Sequence, residues 1–275
     1  MRVLWIIFGV IAVFGTGCDF ILERALPANP QSQPTAIPLS VTVLLQADTS
    51  LDTATYTTLQ TVLAARLNAL DIPGEVDDIP TGNRCVVVRL AQPTDENALD
   101  TALKTLSQVG LLEFVNMRGM DTQRLTDYKG EPVITTAQIA LNLAPAIGTL
   151  APLTRDGEPF ETVFTGEIIA QAEPATTNGA IWFVEFAIRA EDQQALGDYT
   201  AQNIMQPLGI VLDGRLLTAP VIQARLDSGG VITGNFTEAE TQALAAQLLS
   251  GALPVPLTLV ATTETGDALD TSGCG

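Results

Sequence analysis

Three pairs of neighbouring carboxylates, Asp77-Asp78, Asp95-Glu96 and Glu191-Asp192, are the residues whose spacing most readily suggests chemistry. Two adjacent carboxyls can divide acid and base roles when their environments push their pKa values apart. In a chain with 31 acidic and 13 basic residues, however, such pairs read as solvated faces or helix starts. A serine or cysteine nucleophile needs a base, and the sequence contains no histidine. Lysine would have to serve, and Lys104 and Lys129, the only two lysines, lie near no recognisable serine motif. Without histidine or paired cysteines no metal cluster is expected, and no calcium-loop spacing appears. No Gly-rich loop between a strand and a helix offers a phosphate cradle. Asn235-Phe236-Thr237 fits a glycosylation sequon, but a helix-capping role explains Thr237 better. The expectation is therefore a protein that is not an enzyme and uses no cofactor or metal. A net charge of −18 also repels phosphate backbones, so nucleic acid is not expected as a partner.

The three cysteines speak to location. Arg2 precedes an apolar run from Val3 to Gly17, too short for a spanning helix and suited to a signal peptide over residues 1–17. Gly15, Thr16 and Gly17 lead into Cys18, which resembles a bacterial lipobox with Gly15 where leucine is usual. Cys18 is then the lipidation site. An uncleaved anchor running through Ile21-Leu22 is the alternative, and either one tethers an exported chain to the outer face of the cytoplasmic membrane. Cys85, inside "CVVVRL", reads as a small buried hydrophobe, while Cys274 closes a polar tail over 262–275. An extracytoplasmic compartment permits a disulfide between them, and the sequence leaves that pairing open.

Residues 19–38, with four prolines between Leu26 and Pro38, form an expected linker. "LSVTVLLQ" is a strand, and Thr53 to Leu70 carries Leu59, Val62, Leu63, Leu67 and Leu70 at helical spacing. "RCVVVRL" is a strand, Thr94 can cap a helix over Glu96 to Val109, and "LLEFVNM" is a further strand. The β-α-β-β-α-β order is the split-βαβ, ferredoxin-like pattern. Loops with one helical piece near Thr136 to Leu143 follow; "AIWFVEFAI" is a strand and Ala190 to Ile204 a helix. "GIVLDGRLL" (Gly209 to Leu217) predicts a tight hairpin, because Asp213 tolerates and Gly214 readily adopts positive φ. Pro220 should end its second strand. A turn at Ser228 to Gly230 and a return through "VITGNF", with Gly234, come next. Thr237 and Glu240 fit a capping box, and Gly251 stops the helix they start. "ALPVPLTLV" is extended, since two prolines forbid helix.

"LGIVLDGRLLTAPVI", "ITGNFTEAE" and "SGALPVPL", in this order, closely resemble the first periplasmic domain of the SecD family, the accessory subunit of the Sec protein translocase. "VEFAIRAEDQQALGDYTAQNI" resembles the same domain's strand and helix. In "AARLNALDIPG", Arg66 matches an arginine of the family's first helix, with Ala65 and Asp71 replacing the usual asparagine and glycine. "LLEFV" matches the strand that closes the base. The resemblance implies an α+β fold: a ferredoxin-like base over residues 39–116, completed by a strand at 256–260, with an α+β head inserted over 117–254. It implies exported or unfolded polypeptides as clients and Sec translocase components as partners.

The hairpin lies in that head, and Leu212, Leu216, Leu217, Val221 and Ile222 are the candidates for contact with a client chain, weighed against their packing the head's own core. The SecD family continues into membrane helices that couple protons to movement. Nothing after Leu257 reads as a membrane segment, so the expectation is a membrane-tethered, polypeptide-binding accessory factor without its own proton-driven motor. The alternative is an extracytoplasmic binding module for a small molecule or a surface partner.

Overall fold

The computed structural model describes residues 39–77, 83–93, 96–264, 270–271 and 273–275. The expected signal peptide, Cys18, the linker and the Thr94 cap lie outside the described residues.

Strand β1 (Leu39–Gln46) is followed by helix α1 (Thr53–Ala69), strands β2 (Gly74–Val76) and β3 (Cys85–Ala91), and helix α2 (Glu96–Ser107). Alternation along β1 and β3 sends Val41, Val43, Leu45, Val86, Val88 and Leu90 against Leu59, Val62, Leu63 and Leu67 of α1 and Leu106 of α2. Asp52 caps α1, its carboxylate accepting from Thr55 N at 2.7 Å. The next strand, β4 (Leu112–Asn116), does not join this sheet. Its neighbours belong to a second layer: helices α3 (Thr122–Asp127) and α4 (Thr136–Ala140), and strand β5 (Thr162–Thr165). A 3-10 turn (Gly166–Ile168) leads to strands β6 (Ile169–Thr177) and β7 (Ile181–Ile188), then helix α5 (Gln193–Gln202). The chain ends through strands β8 (Leu208–Leu212), β9 (Arg215–Thr218) and β10 (Gly229–Phe236), helix α6 (Glu238–Ser250) and strand β11 (Thr258–Glu264).

Three antiparallel sheets result, in the orders β11-β1-β3-β2, β5-β4-β8-β9 and β10-β7-β6. The strand that completes the first sheet is β11, placed in sequence after the whole of the other two. This corrects the reading of "LLEFV" as the closing strand. The physical reason is that β4 is buried on both faces, Leu112 and Phe114 towards one core and Val115 towards another, between its partners β5 and β8. Gly110, at φ +76°, turns the chain away from α2 just before it. Helix α6 packs against α1 and α2 on one side and β6 on the other, so it joins the two parts.

The end of the chain also departs from expectation. Residues 262–264 continue β11 instead of beginning a tail. Cys274 forms a disulfide with Cys85, S–S 2.08 Å, buried with Leu44 and Val87 on the face of the first sheet opposite its helices. Arg84 N donates to Cys274 O at 2.8 Å, and Gln46 Nε2 to Gly273 O at 2.7 Å, so the last residues lie docked on that face. Gly229 and Gly230, read as a turn, instead open β10.

Candidate functional site

The hairpin β8-β9 forms as its sequence requires. Asp213 and Gly214 have φ of +48° and +75°, the two left-handed residues of a type I′ turn. A Cβ on Gly214 would come within 3.2 Å of Gln138 Nε2. Strand β9 ends at Thr218, before Pro220, whose carbonyl accepts from Leu208 N at 2.9 Å. Thr237 N donates to the Glu240 carboxylate at 2.8 Å and Glu240 N to the Thr237 hydroxyl at 3.2 Å, completing the capping box of α6. Gly251 ends that helix at φ +79°. Gly234 lies at an irregularity in β10, where the ring of Phe236 folds over it so closely that a Cβ would be 2.4 Å away.

The turn carboxylate reaches back to where the chain leaves α2. Asp213 accepts from Leu111 N at 2.8 Å and from Gly110 N at 3.1 Å. Beneath Gly110 lies Arg66, fully buried although it carries a charge. It falls on the apolar stripe of α1, between Leu63 and Leu67, and its guanidinium donates to carbonyls at both neighbouring helix ends. These are Thr105 O (2.6 Å) in the last turn of α2, Val109 O (2.8 Å) just after it, and Gly251 O (3.2 Å) after α6. C-terminal carbonyls carry the negative end of the helix dipole, so a cation there satisfies both charge and hydrogen bonding. Burial still lowers its pKa to about 10, against the raising effect of Asp213. Burial likewise raises the Asp213 carboxyl, against the lowering effect of the Gly110 and Leu111 amides and Arg66.

A third buried charge continues the line. Glu113 on β4 accepts from the hydroxyls of Thr135 (2.5 Å) and Thr162 (2.6 Å) and from Gln138 Nε2 (3.1 Å). Burial pushes its carboxyl up, and those hydrogen bonds only partly offset this. The signal for it in sequence is one acid inside the apolar run "LLEFV"; the three donors lie on segments whose pairing no local pattern announces.

Two apolar clefts flank this junction. One, of about 280 Å³, lies between α2 and the hairpin and is lined by Leu212, Leu217, Phe236, Ala243 and Leu244, with Thr101 and Thr105 opposite. The other, of about 520 Å³, is lined by Leu111, Leu141, Leu248, Leu253 and Pro254. Gln247, hydrogen-bonded to Gln108 at 2.5 Å, borders both. Of the five hairpin candidates, Leu212 and Leu217 therefore line a cleft. Leu216 and Ile222 are buried in the cores beneath the hairpin, the packing alternative weighed for them: strand alternation turns Leu216 inward to Val133 and Phe160. Val221 is half-buried.

Residues 153–255 match the family model described as SecDF, P1 head subdomain. That stretch is a SecDF P1 head subdomain. SecD of Rhodobacter capsulatus is 41% identical over 99 residues, covering 36% of this chain and 18% of that protein. SecDF of Thermus thermophilus is 32% identical over 204 residues, 72% of this chain and 26% of that one. Among solved structures, one described as a membrane component SecDF that enhances protein export superposes with a TM-score of 0.60 at 29% identity, over 80% of this chain and 98% of that chain. SecDF in a super-membrane-facing form gives 0.62 at 27%, over 86% of this chain and 32% of that chain. The fold is thus the mixed helix-and-sheet fold of SecDF P1, and the likeness extends beyond the matched head. Against the first curated relatives the matched region is 18%, 22% and 29% of their length, so the chain corresponds to a part of them.

Proposed function

We propose that this protein is an extracytoplasmic, membrane-tethered SecD-like accessory factor that binds polypeptide during or after Sec-dependent translocation. The P1 likeness supports the link to translocation and to the Sec machinery as a partner. The observation that carries the binding role is the cleft between the hairpin and α2. Its apolar lining comes from Leu212, Leu217, Phe236 and Leu244, framed by the polar side chains of Thr101, Thr105 and Gln108. Its 280 Å³ lies at the small end of ligand sites, a size for a few side chains of an extended chain. An unfolded client offers aliphatic side chains spaced along a strand, and apolar pockets give such recognition its grip. The role asks for binding and release and for no chemistry, so the protein is read as a non-enzyme with no cofactor.

The test is a photo-crosslinking residue at Leu217 in living cells. Capture of many exported precursors, with or without Sec components, is the expected result. Capture of a single folded partner, or of nothing beyond the chain itself, would sink the client-binding reading in favour of a module with one dedicated ligand.

A further inference from the structure

The sheet β10-β7-β6 has one side packed on α6 and the cores, through Ala172, Val184 and Ile232. Its other side follows from the register. Across the strands, Ala175, Phe183 and Thr233 stand in one row, and Glu173, Glu185 and Val231 in the next. Gln171, Ala187 and Gly229 form a third, and Thr177 with Ile181 a fourth. This side is wet and yet partly apolar: Ile181 is 61% exposed and Val231 49%, and Phe183 belongs to none of the buried clusters.

In its middle sit two like charges. Glu173 and Glu185 are direct cross-strand neighbours, both exposed, and neither makes an ion pair among the described residues. Directly opposed like charges destabilise a sheet, and net charge −18 offers no relief. A cation laid between them would remove that cost, and apolar side chains beside it would cover Val231, Phe183 and Ile181.

We propose that the solvent-facing side of the β10-β7-β6 sheet docks polypeptide segments in which lysine or arginine is flanked by apolar side chains. The charge decides among occupants. An anionic membrane surface would be repelled by the glutamate pair. A second copy meeting the same face across a two-fold axis would bring two such pairs together. Docking is on the face and not by strand addition at β6, because Pro174 removes a backbone donor from that edge. This surface is separate from the junction cleft, so either reading can fail alone.

The experiment titrates a fluorescein-labelled peptide of alternating leucine and lysine against the purified full chain. Glu173→Gln with Glu185→Gln is expected to weaken binding about fivefold or more. The thermal midpoint should hold or rise, because a repulsion is removed. Val231→Ser should also weaken binding. Asp156→Asn with Glu158→Gln removes the same charge from an exposed turn elsewhere and should change it less than about twofold. Equal weakening by both double variants would overturn the proposal, since overall charge alone would then hold the peptide. So would unchanged binding in the glutamate variant, or peptide-free self-association that Val231→Ser abolishes.

Discussion

Arg66 and Asp213 stand on either side of Gly110 without forming an ion pair. The guanidinium donates to helix-end carbonyls, the carboxylate accepts the Gly110 and Leu111 amides, and a Cβ on Gly110 would lie 2.6 Å from Arg66 Nη2. The first sheet's helix and the second sheet's hairpin therefore hold the same stretch of backbone from opposite sides. Asp213→Gly keeps the positive φ of the turn but leaves both amides without their acceptor. The expected loss is about 1–3 kcal/mol in urea unfolding, because the unsatisfied donors are partly buried. Asp213→Asn, which can accept one amide, should fall between that variant and the parent. Equal stability of all three would mean that the amides find water and the carboxylate holds nothing.

Glu113 gives a pH signature. A carboxyl whose folded pKa is raised binds more protons folded than unfolded, so its contribution to stability grows as pH falls towards its ordinary value of 4.5 and is lost as pH rises through the raised folded value. In Glu113→Gln the side-chain oxygen still accepts from Thr135 and Thr162, and Gln138 can turn its amide to accept from the new one. The variant should match or exceed the parent by about 1 kcal/mol at pH 8, with the gap closing towards pH 5. Urea melts at several pH values check this. A variant less stable by a constant amount at every pH would mean that the buried carboxylate is ionised at no cost.

Turn chemistry was the most legible part of this fold, and strand partnership the least. Asp213-Gly214 declares its two-residue hairpin, but Asn178-Gly179, with φ of +54° and +67°, opens a three-residue turn between β6 and β7 that the weak flanking pattern hides. The segment before it, "IAQAEPATT", has few β-branched residues and a proline, which hides an edge strand. β4 follows α2 in the order of a closing base strand, and only its burial on both sides, set by distant β8 and β5, places it elsewhere. The Cys85–Cys274 bond spans 189 residues, a distance that no local pattern bridges. Arg66 lies on a stripe that periodicity assigns to apolar side chains, and its role depends on two helix ends meeting there.

That disulfide should be a measurable part of stability. It links residues 189 apart in sequence, closing a loop that takes in everything from β3 onward, and the general effect of such a link is about 2–4 kcal/mol through the unfolded state. Cys85→Ser with Cys274→Ser, or the parent equilibrated with reductant, should unfold at lower urea by that amount. Both sulfurs are buried, so reduction is expected to require long equilibration. Reductant should not shift the double variant further. An unchanged midpoint for the reduced parent would mean that the bond adds nothing to the hydrogen bonds that dock residues 273–275.

Leu216 and Leu217 separate core from cleft lining with one step along a strand. Leu216 is fully buried beside Val133, Leu153 and Phe160, so Leu216→Ala should cost about 2–5 kcal/mol. Leu217 is half-buried and lines the cleft facing α2, so Leu217→Ala should cost roughly 1 kcal/mol, in proportion to the smaller area it removes from water. Binding should divide the other way. At a temperature where both variants are folded, Leu217→Ala should lower capture of precursors by a photo-crosslinker placed at Phe236 in the same cleft, and Leu216→Ala should leave it near the parent's level. If Leu217→Ala destabilises as much as its neighbour, or leaves capture untouched, then Leu217 packs the head and the client lies elsewhere.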